Sequence, residues 1–282
     1  NQIKKLLVFS SSNSITFDGW SSKGNRPYIG ITVRALIKNE YKDFFLDLIE
    51  LKFEDQSAPI LSVEISKALE YYGLNHKNII SCTTDNCQNM ISVAEKLNLW
   101  RIPCIIHILN LVFETFITVC KTEIDPFLNL VGSLNKSTKY TIFVEQNKIK
   151  KIPSYVETRW TSMCKTILVY LETKDYVFEF CQSHKKDFPF HKSLDKIDLL
   201  KDLCMEYLRI VTFFEGDEFG ASGFFLVYID IIRDKLNELL STKFQKAAEA
   251  ANKKIDELKD NHYQFWNVIA SMTLLLNHII YY

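Results

Sequence analysis

The sequence predicts an α/β fold in which a mixed five-stranded sheet with flanking helices is followed by a mostly α-helical region. Two observations lead to this prediction. Strand-like and helix-like runs alternate up to about residue 121 in the order β-β-β-α-β-α-β-α, and no convincing strand follows them. Three consecutive strands, followed by strands that are reached through helices, give a mixed sheet with helices on its faces.

The first three strand candidates are rich in β-branched and aromatic residues. The two loops between them are SSKGNRP, which contains Gly and Pro, and KNEYKD, which is short and polar. Such loops favour antiparallel neighbours in a sheet. The three runs are SITFDGW (14–20), YIGITVRALI (28–37) and FFLDLIELKF (44–53).

A helix is predicted over residues 57–72, where apolar residues begin to recur every three to four positions. Pro59 suits the first helical turn, and Gly73 follows the last turn, where a left-handed residue is favoured. The apolar stripe of this helix consists of Ile60, Val63, Ile65, Ala68, Leu69 and Tyr72.

Two further strand–helix pairs complete the predicted sheet. NIISCTTDN (78–86) is a short apolar run that ends in an acid and an amide, and a predicted helix at 87–99 follows it. IPCIIH (102–107) is predicted as the fifth strand, and it leads into a helix at 108–121. The later helices are predicted at 125–148, 160–182, 196–215, 222–259 and 261–282.

The composition excludes several classes of protein. Lys plus Arg and Asp plus Glu both total 34, so the chain has no net basic charge, and any binding of nucleic acid must be local. The seven cysteines include no C-x-x-C pair, which suits a reducing compartment. No apolar run reaches the ~18 residues that a membrane span requires, so no membrane partner is expected.

Two aspartates stand where the predicted strands end. Asp18 lies in the run SITFDGW, although strands are poor in Asp, and Asp85 ends the fourth strand candidate. If the first and fourth strands are neighbours, the two carboxylates meet at one edge of the sheet. A divalent cation between them, Mg²⁺ or Mn²⁺, would relieve their repulsion. The simpler alternatives are a turn-closing role for Asp18 and a helix N-cap role for Asp85.

Short blocks in a fixed order cover nearly the whole chain. In that order they resemble the hAT superfamily of DNA transposases and the host proteins derived from them. Each block alone is weak, but together they are specific. The blocks are TFDGW (16–20), TTDNCQNM (83–90), CIIHILNL (104–111), ETRWTSM (157–163) and the segments 210–236 and 261–267.

This resemblance implies an RNase H-like core at residues 1–155 and a helical insertion-like region at 156–282. It also implies a DDE-type site that cleaves and joins DNA with two Mg²⁺ or Mn²⁺ ions. Asp18 matches the first acid and Asp85 the second. The implied partner is DNA at transposon ends, the implied location is the nucleus, and homo-oligomers would form through a region outside this chain.

The third acid of the triad has no match in the sequence. The family's glutamate follows the insertion in an S-E-x-x-F-S-like block, and neither Glu215 nor Glu218 aligns with it. Two explanations stay open. Either the chain is a fragment of a longer transposase, or it is a domesticated relative that acts through DNA or protein contacts without catalysis. An unrelated RNase H-like nuclease is a third hypothesis, which the CIIHILNL and TRW blocks disfavour.

His107 in the C-x-x-H block has three interpretations. It could contact the scissile phosphate or hold a ligand in place near the acids, or it could be a hydrogen-bonded histidine that closes the core. A zinc site with Cys82, Cys87 and Cys104 is not expected, because the spacing C-x4-C-x16-C-x2-H is not that of a standard zinc finger.

Four further residues are candidates for contact with nucleic acid. Arg159 and Trp160 could grip phosphate and stack on an unpaired base, or they could pack the helical region against the core. Asn86 and Asn89 flank the second acid and could orient DNA or metal-bound water, or they could stabilise the turn into the next helix.

Overall fold

A computed structural model gives the fold of the chain, which divides into two compact units, residues 1–107 and residues 108–282. The first unit contains the sheet, and every regular element described in the second unit is a helix. The described residues are 2–22, 24–51, 56–156, 160–185, 188, 192–216 and 224–260.

The first unit is built on a five-stranded sheet with the strand order β3-β2-β1-β4-β5. β1 pairs antiparallel with β2, and β2 pairs antiparallel with β3. β4 lies parallel to β1, and β5 lies parallel to β4, so the predicted mixed sheet is confirmed. The strands are β1 (Ser10–Ser21), β2 (Pro27–Ile37), β3 (Glu40–Glu50), β4 (Ile79–Thr84) and β5 (Arg101–Pro103).

The hairpin between β2 and β3 closes in two residues. Lys38 and Asn39 both adopt positive φ, 51° and 64°, between the paired residues Ile37 and Glu40. A two-residue turn of this handedness matches the twist of antiparallel strands. The short polar loop therefore gives the antiparallel neighbours that the sequence predicts.

Three helices belong wholly to the first unit: α1 (Gln2–Leu7), α2 (Ala58–Tyr71) and α3 (Gln88–Lys96). Gly73 follows α2 with φ at +78°, as its position after the apolar stripe predicts. α2 connects β3 to β4, and α3 connects β4 to β5, so these helices make the crossovers that parallel strands need.

One face of the sheet forms the core of the first unit. Side chains alternate between the two faces of a strand, and along β1 the residues Ile15 and Phe17 are buried. They share a hydrophobic cluster with Leu61 and Ile65 of α2 and Val93 of α3. The residues that alternate with them along β1, Thr16 and Asp18, lie on the opposite face, so the acid stays outside the core.

The prediction for residues 102–107 is wrong in part. β5 ends at Pro103, and α4 (Ile105–Val119) begins two residues later. A short continuous apolar run fits a buried strand and a buried helix equally well, and here its second half is helical. His107 therefore lies in the first turn of a helix and not at a strand end.

The predicted helix at 125–148 is two helices, because Ser137 interrupts it. Its hydroxyl accepts a hydrogen bond from the backbone N–H of Tyr140 at 3.2 Å and caps the second helix. The helices that follow α4 are α5 (Lys121–Lys136), α6 (Thr138–Gln146), α7 (Trp160–Ser183), a 3₁₀ helix (Lys192–Leu200), α8 (Lys201–Glu215), α9 (Phe225–Asn237) and a further helix over 245–260.

Among the described helices, none alone is long and apolar enough to cross a membrane. By length and composition only the pair α4 and α5 would suffice, and these two meet at a bend of 92°. The predicted helix at 261–282 lies outside the described residues. The predicted boundary between residues 155 and 156 concerns family domains and stays a prediction.

Candidate active site

The two predicted acids lie at the carboxyl ends of adjacent parallel strands. Thr16 of β1 and Thr83 of β4 form the last pair of the parallel ladder. Asp18 follows Thr16 by two residues, close to the end of β1, and Asp85 follows Thr83 by two residues, just after the end of β4. β1 is the central strand of the sheet, and β4 lies directly beside it. The carboxyl edge of parallel strands is where open α/β sheets bind their ligands. The topology therefore brings the two carboxylates to one place.

The surroundings of Asp18 disfavour the ionised form of its carboxyl group. Partial desolvation raises the pKa of the Asp18 carboxyl above its ordinary value, and the neighbouring charge of Asp85 raises it further. His107 and the backbone N–H of Gly19 act in the opposite direction without cancelling the rise. The side chain of Asp18 remains open to solvent, so the carboxylate is accessible to a ligand.

His107 interacts with both acids from the first turn of α4. A hydrogen bond with the Cys104 side chain raises the pKa of His107 most, and the charges of Asp18 and Asp85 raise it as well. His107 is exposed, and Cys104 is half-buried. The structure thus brings together the three predicted catalytic residues, although His107 reaches them from a helix.

Asp85 has a structural role in addition to its place in the site. Its Oδ1 atom accepts a hydrogen bond from the backbone N–H of Cys87 at 3.0 Å, which closes a turn into α3. The N-cap of α3 is Cys87, so the alternative that Asp85 itself is the N-cap is wrong. Because this bond occupies one carboxylate oxygen, the orientation of Asp85 is fixed with respect to the strand end.

The two asparagines beside Asp85 make bonds within the protein. Asn86 accepts a hydrogen bond through Oδ1 from Arg101 at 2.5 Å. Asn89 donates from Nδ2 to the carbonyl oxygen of Gln56 at 3.2 Å. These bonds agree with the structural alternative for both residues, and their contact with nucleic acid stays a prediction.

Arg101 is the residue of the site that sequence analysis missed. Its guanidinium bonds to the loop that carries Asp85, at Thr84, at the main chain of Asp85 and at Asn86. The only signal in the sequence is an arginine at the start of the apolar run 101–106, which is too weak to identify a role.

An exposed aromatic side chain lies on the same sheet face as Asp18. Trp20 follows two residues later on β1, is 46% exposed and stacks on Tyr28 with ring centroids 6.2 Å apart. A Cβ atom at Gly30 would lie 3.0 Å from the Trp20 ring, so the glycine lets the indole lie flat on β2. The acids therefore have an open aromatic surface beside them.

Two of the predicted nucleic-acid contacts cannot be placed at this site. Arg159 lies outside the described residues, and Trp160 begins α7 with only its backbone described. Of the two glutamates considered for the third acid, Glu215 ends α8, whereas Glu218 lies outside the described residues.

The two carboxylates fit a hard divalent cation in their chemistry. In the described part of the chain, no group of three or more His, Cys, Asp and Glu side chains is arranged to hold a metal ion. Mg²⁺ is commonly held by one or two carboxylates, with water and substrate phosphate as its other ligands, so two acids suffice for a site of that kind. Of the cysteines considered for zinc, Cys82 lies in the hydrophobic core and Cys87 is exposed.

The sequence matches no protein-family model and gives no significant match to a curated protein.

Proposed function

We propose that this chain is the core of a metal-dependent enzyme that cleaves DNA strands and joins them, of the hAT transposase type. The observation that carries the proposal is the convergence of Asp18 and Asp85 at the carboxyl ends of two parallel strands, close enough for each charge to act on the same histidine. A carboxyl group whose pKa is raised by partial desolvation and by a second acid, as that of Asp18 is, is typical of a functional site.

The finer fold assignment is part of this proposal. We infer an RNase H-like core because three antiparallel strands come first and two strands parallel to the central one follow. The helices from α7 onward, within residues 156–282, would then form the insertion-like region. DNA as the substrate, Mg²⁺ or Mn²⁺ as the cofactor and the nucleus as the location belong to the same proposal, and the sequence blocks support them.

In this proposal the residues of the chain hold and orient the reacting groups. Asp18 and Asp85 would bind the cations, which supply charge stabilisation for the attacking and leaving oxygens of a phosphodiester. His107, whose raised pKa favours the protonated form, would contribute positive charge beside a bound phosphate. Asp18 and His107 are both exposed, so a phosphodiester of DNA could reach them from solvent.

The test is cleavage of a DNA duplex that carries the ends of the genomic element encoding the chain, with Mg²⁺ or Mn²⁺. Asp18→Ala and Asp85→Ala in the full natural protein are expected to lower the cleavage rate by ~10³-fold or more, since the metal supplies several kcal/mol of stabilisation. Asp43→Ala on β3 is the matched control and should cleave like the wild type. Unchanged cleavage in both site variants would contradict the proposal.

The alternative function is that of a domesticated, transposase-derived protein that binds DNA or protein without catalysis. It is favoured by the finding that no third carboxylate joins the two acids in a metal-binding group among the described residues. Under this alternative the wild-type protein would retain terminal DNA in a mobility-shift assay and would leave it uncut with either metal. Cutting that depends on Asp18 would dismiss it.

A further inference from the structure

Arg101 joins β5 to the loop that carries the second acid. It begins β5 opposite Cys82 of β4, and its side chain reaches the carboxyl end of that strand. Nε donates to the hydroxyl of Thr84 at 2.8 Å, while Nη2 donates to the main-chain oxygen of Asp85 and to Oδ1 of Asn86, both at 2.5 Å. Three consecutive residues are therefore held by one planar group.

The network closes on itself through Thr84. The Thr84 hydroxyl, which accepts from Arg101, donates in turn to the main-chain oxygen of Asp85 at 2.9 Å. Thr84 is buried and Arg101 is half-buried, so these bonds are shielded from competing water. The main chain at Asp85 thus has two donors on its carbonyl, while Cys87 donates to its carboxylate.

The bonds of Arg101 avoid the carboxylate of Asp85. Every acceptor of the three bonds is neutral, although the guanidinium charge still acts on Asp85 through space. Arg34 on β2 differs in this respect, because its guanidinium donates to both carboxylate oxygens of Asp43. Nε donates to Oδ1 at 2.8 Å, and Nη2 donates to Oδ2 at 2.7 Å. An arginine that holds the backbone leaves the acid able to bind something else.

We propose that Arg101 is a positioning residue that fixes the main chain of residues 84–86 and thereby aims the Asp85 carboxylate at the cation shared with Asp18. This inference rests on the proposed function, because it needs the two acids to bind a divalent ion. A lysine cannot replace the arginine, since a single ammonium on a flexible stem does not present the rigid planar fork that spans these three acceptors.

The inference is tested by Mn²⁺ binding to the full natural protein, measured by electron paramagnetic resonance without DNA. Arg101→Met is expected to weaken Mn²⁺ binding by about tenfold, the lower end of the effect of losing an outer-shell partner. Arg101→Lys should recover only a small part of this loss. Arg34→Met removes a cation from the same sheet without touching the loop, and it should bind Mn²⁺ within about twofold of the wild type.

A second variant covers the case in which Arg101→Met does not fold. Thr84→Val removes one acceptor of Arg101 and one donor to Asp85 without a change of charge, and it should weaken Mn²⁺ binding by a few-fold. Circular dichroism shows that each variant is folded under the conditions of the binding measurement.

The outcomes separate the inference from the proposed function. If the wild type binds no Mn²⁺ in a manner that depends on Asp18, the proposed function fails and the role of Arg101 fails with it. If the wild type binds Mn²⁺ and the folded Arg101→Met or Thr84→Val protein binds it equally well, only the positioning role is overturned. Full recovery by Arg101→Lys would also overturn it, because charge alone would then explain the effect.

Discussion

Two aspartates on the same sheet have opposite surroundings. Asp43 on β3 lies opposite Arg34 on β2, and the arginine fork bonds to both carboxylate oxygens. Asp18 on β1 has another acid, Asp85, as its neighbour, and its pKa is raised by partial desolvation and by that second charge. Both aspartates are exposed, so exposure does not distinguish them.

The comparison distinguishes an acid with a structural role, Asp43, from an acid that is available to bind a ligand, Asp18. The Asp43 carboxylate is neutralised by a partner that the fold supplies, and nothing further is needed to stabilise it. Partial desolvation and the charge of Asp85 disfavour the charged form of Asp18, so a bound cation would stabilise this carboxylate more than that of Asp43. The predictions below test this contrast.

The largest expected effect is on metal binding. Asp18→Asn should weaken Mn²⁺ binding by ~100-fold or more, because the substitution removes a ligand charge itself and so exceeds the effect of outer-shell changes. Asp43→Asn is the matched control, since it makes the same chemical change on the same sheet. Calorimetric titration with Mn²⁺ measures the affinity of both variants. An equal loss of affinity in the two variants would contradict the proposed difference between Asp18 and Asp43.

A smaller effect is expected when the structural pair is broken. Arg34→Met should lower the free energy of unfolding by about 0.5–1 kcal/mol, the upper part of the range for exposed ion pairs, because the fork bonds at two points. Urea unfolding measures the change. A loss of several kcal/mol, or a fall in Mn²⁺ affinity, would mean that this pair is not the simple structural contact described.

The smallest effect is a gain in stability at the site. In a buffer with chelator at pH 7, Asp18→Asn should raise the free energy of unfolding slightly, within the ~0.5 kcal/mol typical of exposed positions. The reason is that the charged Asp18 is partly desolvated and repelled by Asp85 in the folded state, whereas the amide is neutral.

The gain should depend on pH in one direction. Because the folded-state pKa of Asp18 lies above its ordinary value of 3.8, the native state binds the proton more tightly than the unfolded state does. The contribution of Asp18 to wild-type stability therefore falls as the pH rises from 3.8 through the raised pKa, and the advantage of Asp18→Asn appears over the same range. A difference that persists unchanged below pH 3.8 would contradict this explanation.

The sequence predicted the sheet better than it predicted the helices around it. β1, β2 and β3 were recognisable because they are rich in β-branched and aromatic residues and because the loops between them are short and polar or contain Gly and Pro. The strand predicted at residues 102–107 was wrong in part, because a continuous apolar run shows neither the two-residue period of a strand nor the 3.6-residue period of a helix. The break at Ser137 was missed although a serine followed by a threonine is a good start for a helix.

The sequence predicted the two acids of the candidate site but not the residues that hold them in position. Asp18 and Asp85 each stand out as a charge at the end of an apolar run, and the strand order then places them together. Arg101 could not be predicted, because one of its three acceptors is a main-chain oxygen, which carries no sequence signal. The contact of His107 with Cys104 was hidden by the incorrect strand assignment.

The outermost strand β3 also affects how the protein behaves at high concentration. It lies at one edge of the sheet, and such a strand is a template on which other chains can pair and aggregate. Its charged side chains oppose such pairing because they are strongly hydrated. They are Glu40, Lys42, Asp43, Asp47 and Glu50. Hydrophobic substitutions at these positions would therefore promote self-association. They would lower solubility without changing the site at Asp18 and Asp85, which lies on other strands.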